Sequence, residues 1–372
     1  MCENAASAVS LSNLMSDGNP TIVVTGVSGN LGLRLLPMLE DFQVIGVDLR
    51  PPKTTVPLHF VPLDLGLEKS CIELTRLLKE TRTASVIHLA FVLDPVRTGI
   101  LDTYRMWQIN VSGTARVMEA IAEANREEVI VQKFVALSSV AAYGPDLPEA
   151  VSEDHPLNGH TLPYAIHKME ADKIVQQRSP SLRGCSAYML RPHIFAGASV
   201  DNYMLDAFRG TPNGKSERAA KMRAENKRLP CVLPMGERYL ENRIQFVHVD
   251  DVARLISYIT QRTEPETQRL TVLNVAGRAE ALTFARCLEM AHAELKRVPG
   301  QWALRLLLQM LWNSRTSAIP PEALPYMTSQ YIMKTDRLQK FLGDHYKDVI
   351  RHTNAEAFLD CFASRASATA AR

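Results

Sequence analysis

The sequence predicts an α/β fold: a doubly wound parallel sheet followed by a smaller, mainly helical C-terminal lobe. Three observations carry that prediction. Short β-branched runs alternate with longer helical stretches through the first half of the chain, which implies right-handed crossovers and helices on both faces of the sheet. The first run passes directly into Thr25-Gly26-Val27-Ser28-Gly29-Asn30-Leu31-Gly32. The second closes on an acidic residue, Asp48, about twenty residues beyond the glycines.

Each element is justified in turn by its own pattern. Thr21–Val24 is the first strand, and the run from Leu31 to Leu39 is the first helix. Between them Gly26 permits a tight turn, Gly29 allows close backbone approach, and Gly32 lets the helix lie near the strand. The N–H groups freed at the helix start, on Asn30 and Leu31, then face an anion, which makes this loop a dinucleotide phosphate site. Val44–Val47 is the second strand, and Asp48 at its end suits ribose hydroxyls and repels a 2′-phosphate, favouring NAD over NADP. Arg50, two residues on, softens that preference. Further strands read at Ser85–Leu89, Val131–Leu137 and Ser186–Leu190, with helices at Leu67–Thr81, Asp102–Asn125 and Tyr164–Gln177.

After Arg191-Pro192 the pattern changes. Residues 209–228 hold seven Lys/Arg against Glu217 and Glu225, the composition of a solvated insertion or of a surface for a phosphorylated substrate. Ile244–Val249 and a helix opening at Asp250-Asp251 return the chain to the sheet, and a helical lobe begins near 278. The organisation expected is a leader over 1–19, a nucleotide domain over 20–195 completed by 244–277, and a second lobe from 196–243 and 278–365.

Composition excludes several classes. A formal net charge of +2 is too small for a nucleic-acid partner. The six cysteines, Cys2, Cys71, Cys185, Cys231, Cys287 and Cys361, form no Cys-x-x-Cys pair, so they read as reduced thiols of a cytoplasmic protein with no zinc site. The first twenty residues show no secretory signal. No segment reaches the ~20 apolar residues that span a bilayer. The nearest, Trp302 to Trp312, reads as a packed helix whose Arg305 and Gln309 share one face and leave a wide apolar surface, with a subunit interface, a lipophilic substrate wall or shallow membrane contact as the alternatives.

The chemistry-bearing residues lie in two places. Tyr164-Ala165-Ile166-His167-Lys168 sets a phenol and an ammonium one helical turn apart on one face. The ammonium favours the phenolate and lowers a pKa otherwise near 10. Upstream, Ser139 follows the buried run Phe134–Leu137, where a hydroxyl at a strand end can donate to a substrate oxygen.

With these residues in hand, the chain resembles the extended short-chain dehydrogenase/reductases, which include NAD-dependent epimerases and dehydratases and the 3β-hydroxysteroid dehydrogenase-like enzymes. The resemblance covers roughly residues 20–280 and implies a Rossmann sheet, bound NAD and a Ser139–Tyr164–Lys168 catalytic set. It further implies that Asp64-Leu65 flanks the adenine, that His88-Leu89-Ala90 lies beneath the cofactor, and that Asn110-Val111-Ser112-Gly113-Thr114 is the family's Asn-Val-x-Gly-Thr helix. The cofactor set is therefore Gly26, Gly29, Asn30, Leu31, Gly32, Asp48, Asp64, Leu65, Leu89, Ala90, Asn110 and Lys168. Arg191-Pro192 with Gly197, Phe246–Ala253 and Asn274–Gly277 match later landmarks, and His248, Asp250 and Asp251 belong to a structural segment with no metal. The resemblance also implies a homodimer through the helices near 102–125 and 164–177.

Two departures bear on substrate. Nucleotide-sugar members carry an Asn where this chain has Ile194, and an Arg where it has Ile244, with Arg243 one residue early. A one-residue shift on a strand points a side chain to the other face. The expectation is NAD-dependent hydride transfer at a secondary alcohol or ketone carbon of a small, rather apolar molecule. Tyr164 moves the proton, Lys168 lowers its pKa and holds the ribose, and Ser139 holds the substrate oxygen. A nucleotide-sugar epimerase or dehydratase that returns the hydride, with the 209–228 segment gripping a diphosphate, is the alternative within the enzymes. A non-catalytic dinucleotide sensor is the alternative outside them.

Overall fold

The computed structural model describes residues 18–93, 102–147, 149–263 and 270–370, with side chains as far as residue 362. Cys2 and all but the end of the expected leader lie outside the described residues. The strands are β1 (Thr21–Thr25), β2 (Gln43–Asp48), β3 (His59–Pro62), β4 (Ser85–His88), β5 (Lys133–Leu137), β6 (Ser186–Pro192), β7 (Ile194–Ala196), β8 (Cys231–Pro234), β9 (Arg243–Ile244), β10 (Phe246–His248), β11 (Leu270–Val275), β12 (Leu282–Thr283) and β13 (Leu295–Val298). The helices that matter for the site are α1 (Asn30–Leu35), α2 (Ser70–Glu80), α3 (Gly113–Ala124), α4 (Pro163–Arg178), α5 (Val249–Gln261), α6 (Gln301–Asn313) and α7 (Asn354–Ala370).

Seven strands form one parallel sheet in the order β11-β6-β5-β4-β1-β2-β3. Period-two alternation divides its side chains between two cores. Ile22 and Val24 pack with Leu35, Val252 and Ile256, from α1 and α5. Val23 turns the other way, onto Leu74, Leu78 and Ile121, from α2 and α3. Register then fixes the site: Thr25 lies opposite both Val47 and His88, His88 opposite Ala136, and Leu137 opposite Leu190. Gly26, Asp48, Leu89 and Ser139 therefore all lie at the carboxyl end of the sheet, where ligands of such sheets bind.

The strands β8, β11, β12 and β13 have no counterpart in the sequence expectation, and four further departures bear on the site. β3 went unread because it is a half-buried edge strand ending in proline. Ile244–Val249 does not return to the main sheet: β11 already pairs with the free edge of β6, and β10 pairs with β7 instead. The helix expected over Leu31–Leu39 stops at Leu35 and continues as a single 3-10 turn, Leu36–Met38, because Pro37 has no N–H for the ladder. Finally, the helix expected over 102–125 carries a π-helical turn at Gln108–Ser112 between Thr103–Trp107 and α3. Such turns re-aim side chains at functional sites.

Candidate active site

The loop after β1 is held by contacts that only glycine permits. Gly26 has φ +72°, and a Cβ there would sit 2.4 Å from the Ala90 nitrogen. A Cβ on Gly32 would sit 2.4 Å from the Val27 carbonyl oxygen, which is how α1 comes so close to the loop. Gly29 caps α1 without a side chain, so the first helical amides, on Asn30, Leu31 and Gly32, are not claimed by a capping group. The Leu31 side chain is buried in the core, leaving its amide as the group available to a ligand. Asn30 instead reaches sideways: it donates to the Ser199 carbonyl at 3.3 Å and accepts from Arg34, which pairs with Asp250 at 2.5 Å.

Asp48 is fixed in place by two amides, Ser28 N–H at 3.1 Å and Leu49 N–H at 2.7 Å. Asp64 accepts from Gly66 N–H at 2.9 Å and forms an ion pair with Arg105, a partner that sequence reasoning missed. Leu65 is buried in the core, and its carbonyl accepts from Arg116 at 3.1 Å. Bare glycine backbone, unclaimed helix-start amides and a fixed carboxylate at the end of β2 fit a dinucleotide's pyrophosphate and ribose.

Ser139, Tyr164 and Lys168 converge at the ends of β5 and α4. The Ser139 side chain lies close enough to the Tyr164 phenol to favour its ionised form, and its oxygen accepts from Ala141 N–H at 3.2 Å. Lys168 is buried; its ammonium donates to the Leu137 carbonyl at 2.7 Å and lies 3.6 Å from the centre of the Phe91 ring. Phe91 in turn meets Tyr164 edge-on at 5.9 Å. The expected lowering of the Tyr164 pKa by Lys168 is not seen. Burial pushes the phenol up to about 12 despite the nearby Ser139 hydroxyl. Burial also brings the Lys168 ammonium down to about 7, against the pull of Asp172. The physical reason is that Lys168 turns to Leu137 and Phe91, so loss of water dominates both groups.

Asn110 owes its position to the π-turn. It is fully buried, accepts from Val92 N–H at 2.7 Å, donates to the Val92 carbonyl at 3.1 Å, and lies 3.2 Å from His167. It therefore serves the site through the Leu89–Val92 segment and the catalytic helix. His167 is buried by that contact and by an edge-on Trp107 at 5.4 Å. His88 bridges Thr25 at 2.7 Å and Thr114 at 3.0 Å, and burial drops its pKa to about 3, so the ring is a neutral clip beneath Leu89 and Ala90.

The landmark Arg191 is explained by a network. Its guanidinium takes both Asp172 oxygens, at 2.8 and 3.0 Å, and donates to the Tyr143 hydroxyl and the Glu153 carbonyl, each at 2.8 Å. The Tyr143 hydroxyl donates to the Asn274 Oδ1 of β11 at 2.7 Å. Asp172 lies one turn beyond Lys168 on α4, so this buried pair locks α4 to β6 and to the turn after Ser139. Nothing in the spacing of Asp172 signalled that role.

The other side of Tyr164 is apolar and aromatic. Tyr164 packs at the edge of a cluster that includes Leu162, Leu304, Leu308, Tyr326 and Tyr331. Ile244 is buried, whereas Arg243 is exposed, the opposition that the one-residue shift requires. Tyr331 is 3% exposed, and its hydroxyl has no partner among the described residues. In the basic segment, Arg209 is buried against Val200 and Asp201, Arg223 donates to the Pro212 and Gly214 carbonyls, and Arg228 to the Arg209 and Ala291 carbonyls. These arginines brace their own loops.

His248, Asp251 and His352 bring ligand atoms within 4.8 Å of one another, a meeting invisible in sequence because His352 is remote. Hydrogen bonds account for it. His248 accepts from Asp250 N–H at 3.2 Å and faces Asp360 at 3.1 Å, while Asp251 takes His352 at 2.9 Å and the Arg254 guanidinium. The Arg254 cation on the shared carboxylate speaks against a metal there.

Comparisons with known proteins converge on one group. The model of the NAD dependent epimerase/dehydratase family matches residues 22–276. UDP-glucose 4-epimerase from Erwinia amylovora is 27% identical over 206 residues, 52% of this chain and 58% of that protein. Its Drosophila melanogaster counterpart is 26% identical over 213 residues, with the same shares covered. The match thus spans little more than half the length of these relatives. In solved structures, UDP-glucose 4-epimerase from Thermotoga maritima with UDP-glucose aligns at a TM-score of 0.63 and 16% identity, covering 94% of this chain and 99% of that one. The Thermus thermophilus enzyme with NAD aligns at 0.61 and 19% identity, covering 91% and 96%. These likenesses support the fold. With well over half of its length matched by the family model, the chain belongs to the NAD-dependent epimerase/dehydratase family, and NAD is the cofactor that family membership brings.

Proposed function

We propose that this chain catalyses hydride transfer at a secondary alcohol or ketone carbon, with Tyr164 as the proton-transfer group. The convergence of Ser139, Tyr164 and Lys168 beside the glycine loop carries this reading. NAD supplies the hydride acceptor or donor when bound. Tyr164 passes the hydroxyl proton of the substrate, Ser139 holds the same oxygen, and Lys168, set on the Leu137 carbonyl beside Phe91, is left to hold the nicotinamide ribose. His88 and Asn110 hold the floor on which that arrangement rests.

Two substrate classes are supported by different observations. Ile194, Ile244 and the apolar cluster at Tyr164 favour a largely apolar alcohol. The relatives, which are UDP-glucose 4-epimerases, favour a nucleotide sugar with the hydride returned within one turnover. The bracing role of Arg223 weakens the idea that the 209–228 segment grips a diphosphate, so the first class is our reading. A thermal-shift panel with NAD present separates them. Hydroxysteroids or flavonols should stabilise the protein and UDP- or dTDP-sugars should not, on a scale of about 2.7 kcal/mol at one hundred times Kd. Strong stabilisation by a sugar nucleotide would reverse the choice.

A further inference from the structure

Helix α6 spends only part of its apolar surface on the interior. Leu304 and Leu308 are buried in the cluster at Tyr164. Trp302, Leu306 and Met310, each four residues from the next, are 69%, 55% and 55% exposed and form one outward stripe. Met235, 60% exposed, extends the stripe near its start, since its N–H donates to the Val298 carbonyl two residues before the helix cap. Scattered surface hydrophobes are ordinary, but a contiguous stripe marks an interaction face.

The charge on the helix itself has one sign, and exposed Glu237 near Met235 is answered by Arg297 at 3.7 Å. α6 contains no acidic residue, and its single charge, Arg305, is exposed beside the stripe. At the far end Arg315 is exposed, and the loop before Glu217–Ala224 is tied to it: Gly214 N–H donates to the Thr316 carbonyl and Ser216 N–H to the Arg315 carbonyl. That tie brings exposed Arg218 and Lys221 to the same end, against Glu217 and Glu225.

We propose that this face docks on an anionic lipid surface, with Trp302, Leu306, Met310 and Met235 entering the interface and Arg305, Arg315 and Arg218 meeting the headgroup charge. A second copy of the chain fits less well. Two-fold packing of α6 on itself would cover Arg305 with a helix that offers no carboxylate to answer it. At 13 residues with its inner face committed to the core, the helix lies on such a surface and does not cross it. Among the described residues no helix is long and apolar enough to span a membrane.

The test is co-sedimentation of the full chain with vesicles of phosphatidylcholine alone and of phosphatidylcholine with about 30% phosphatidylserine. Retention is expected on the anionic vesicles only and should fall as salt is raised. The combined variant Trp302→Ser, Leu306→Ser, Met310→Ser should lose roughly tenfold or more of that retention with an unchanged melting temperature. If the triple variant melts early, Leu306→Asp alone is read in its place. Equal or no retention on both vesicle types overturns the proposal, as does a variant that sediments like the parent. Self-association abolished by the same substitutions, without vesicle binding, assigns the face to a second copy.

Discussion

The two sides of Tyr164 are built by different physics. Towards the glycine loop, position is set by backbone and polar clamps: Gly26 against Ala90, Asp48 between two amides, Asn110 across Val92, and Lys168 on the Leu137 carbonyl. Towards α6, position is set by side-chain packing among Leu162, Leu304, Leu308, Tyr326 and Tyr331. Directional contacts tolerate few residue types, whereas apolar packing tolerates many of similar volume. On the proposed function, one half of the site is therefore built for a fixed cofactor, and the other is free to change its substrate.

The largest effect should come from the atom the two sides share. Tyr164→Phe keeps the ring against Phe91 but removes the proton-transfer group, so turnover should fall by about 10²–10⁴-fold with NAD affinity nearly unchanged. Steady-state rates with cofactor titration check this, and retained activity would remove Tyr164 from the mechanism. Next is the lock on the catalytic helix. Arg191→Met leaves Asp172 buried without its cation, a loss of about 3–5 kcal/mol in denaturant unfolding. A cost below about 1 kcal/mol, the scale of a surface pair, would mean that α4 is held mainly by packing.

This contrast also decides what could be read from sequence. Gly26, Gly32 and Asp48 were legible because backbone geometry at a strand end admits almost no other residue there. Ser139, Tyr164 and Lys168 were legible through their spacing and their place after a buried strand. Asp172 and Arg105 were not, since an ion pair between remote segments leaves no local period. The same holds for His352, which meets Asp251 only once the fold is formed. The π-turn at Asn110 was read as unbroken helix because its side-chain pattern is helical on either side. β10 was assigned to the wrong sheet because its apolar run cannot say which edge is already taken by β11.

A pH experiment sharpens the cofactor side. Lys168 is held near 7 in the fold, below its ordinary 10.5. Below about pH 7 it is charged in both folded and unfolded chains, so its burial is a standing cost. Between about 7 and 10.5 the unfolded chain keeps the proton that the folded chain has released, and stability rises with pH. Lys168→Met removes that dependence. It should be more stable than the parent at about pH 6, on the order of a few kcal/mol, with the gap closing by about pH 10. Denaturant melts at both pH values would show it, and parallel curves would mean that the ammonium is fully compensated by Leu137 and Phe91.

The smallest effect tests the substrate side. The Tyr331 hydroxyl is buried with no partner among the described residues, while its ring packs edge-on against His193 at 5.4 Å and Tyr326 at 6.1 Å. An unmade hydrogen bond in such surroundings is a cost that removal of the oxygen relieves. Tyr331→Phe keeps both ring contacts and should leave stability unchanged or raise it by up to about 1 kcal/mol in thermal or denaturant unfolding. Buried phenols are seldom left unmatched without use, and this one lies close enough to Tyr164 for the two to interact electrostatically. The same variant should therefore bind substrate more weakly while holding NAD as before. A stabilised protein with unchanged substrate affinity would make the hydroxyl a bystander. A clear loss of stability would show that it has a partner within the fold, and would move Tyr331 from the adaptable side of the site to the clamped one.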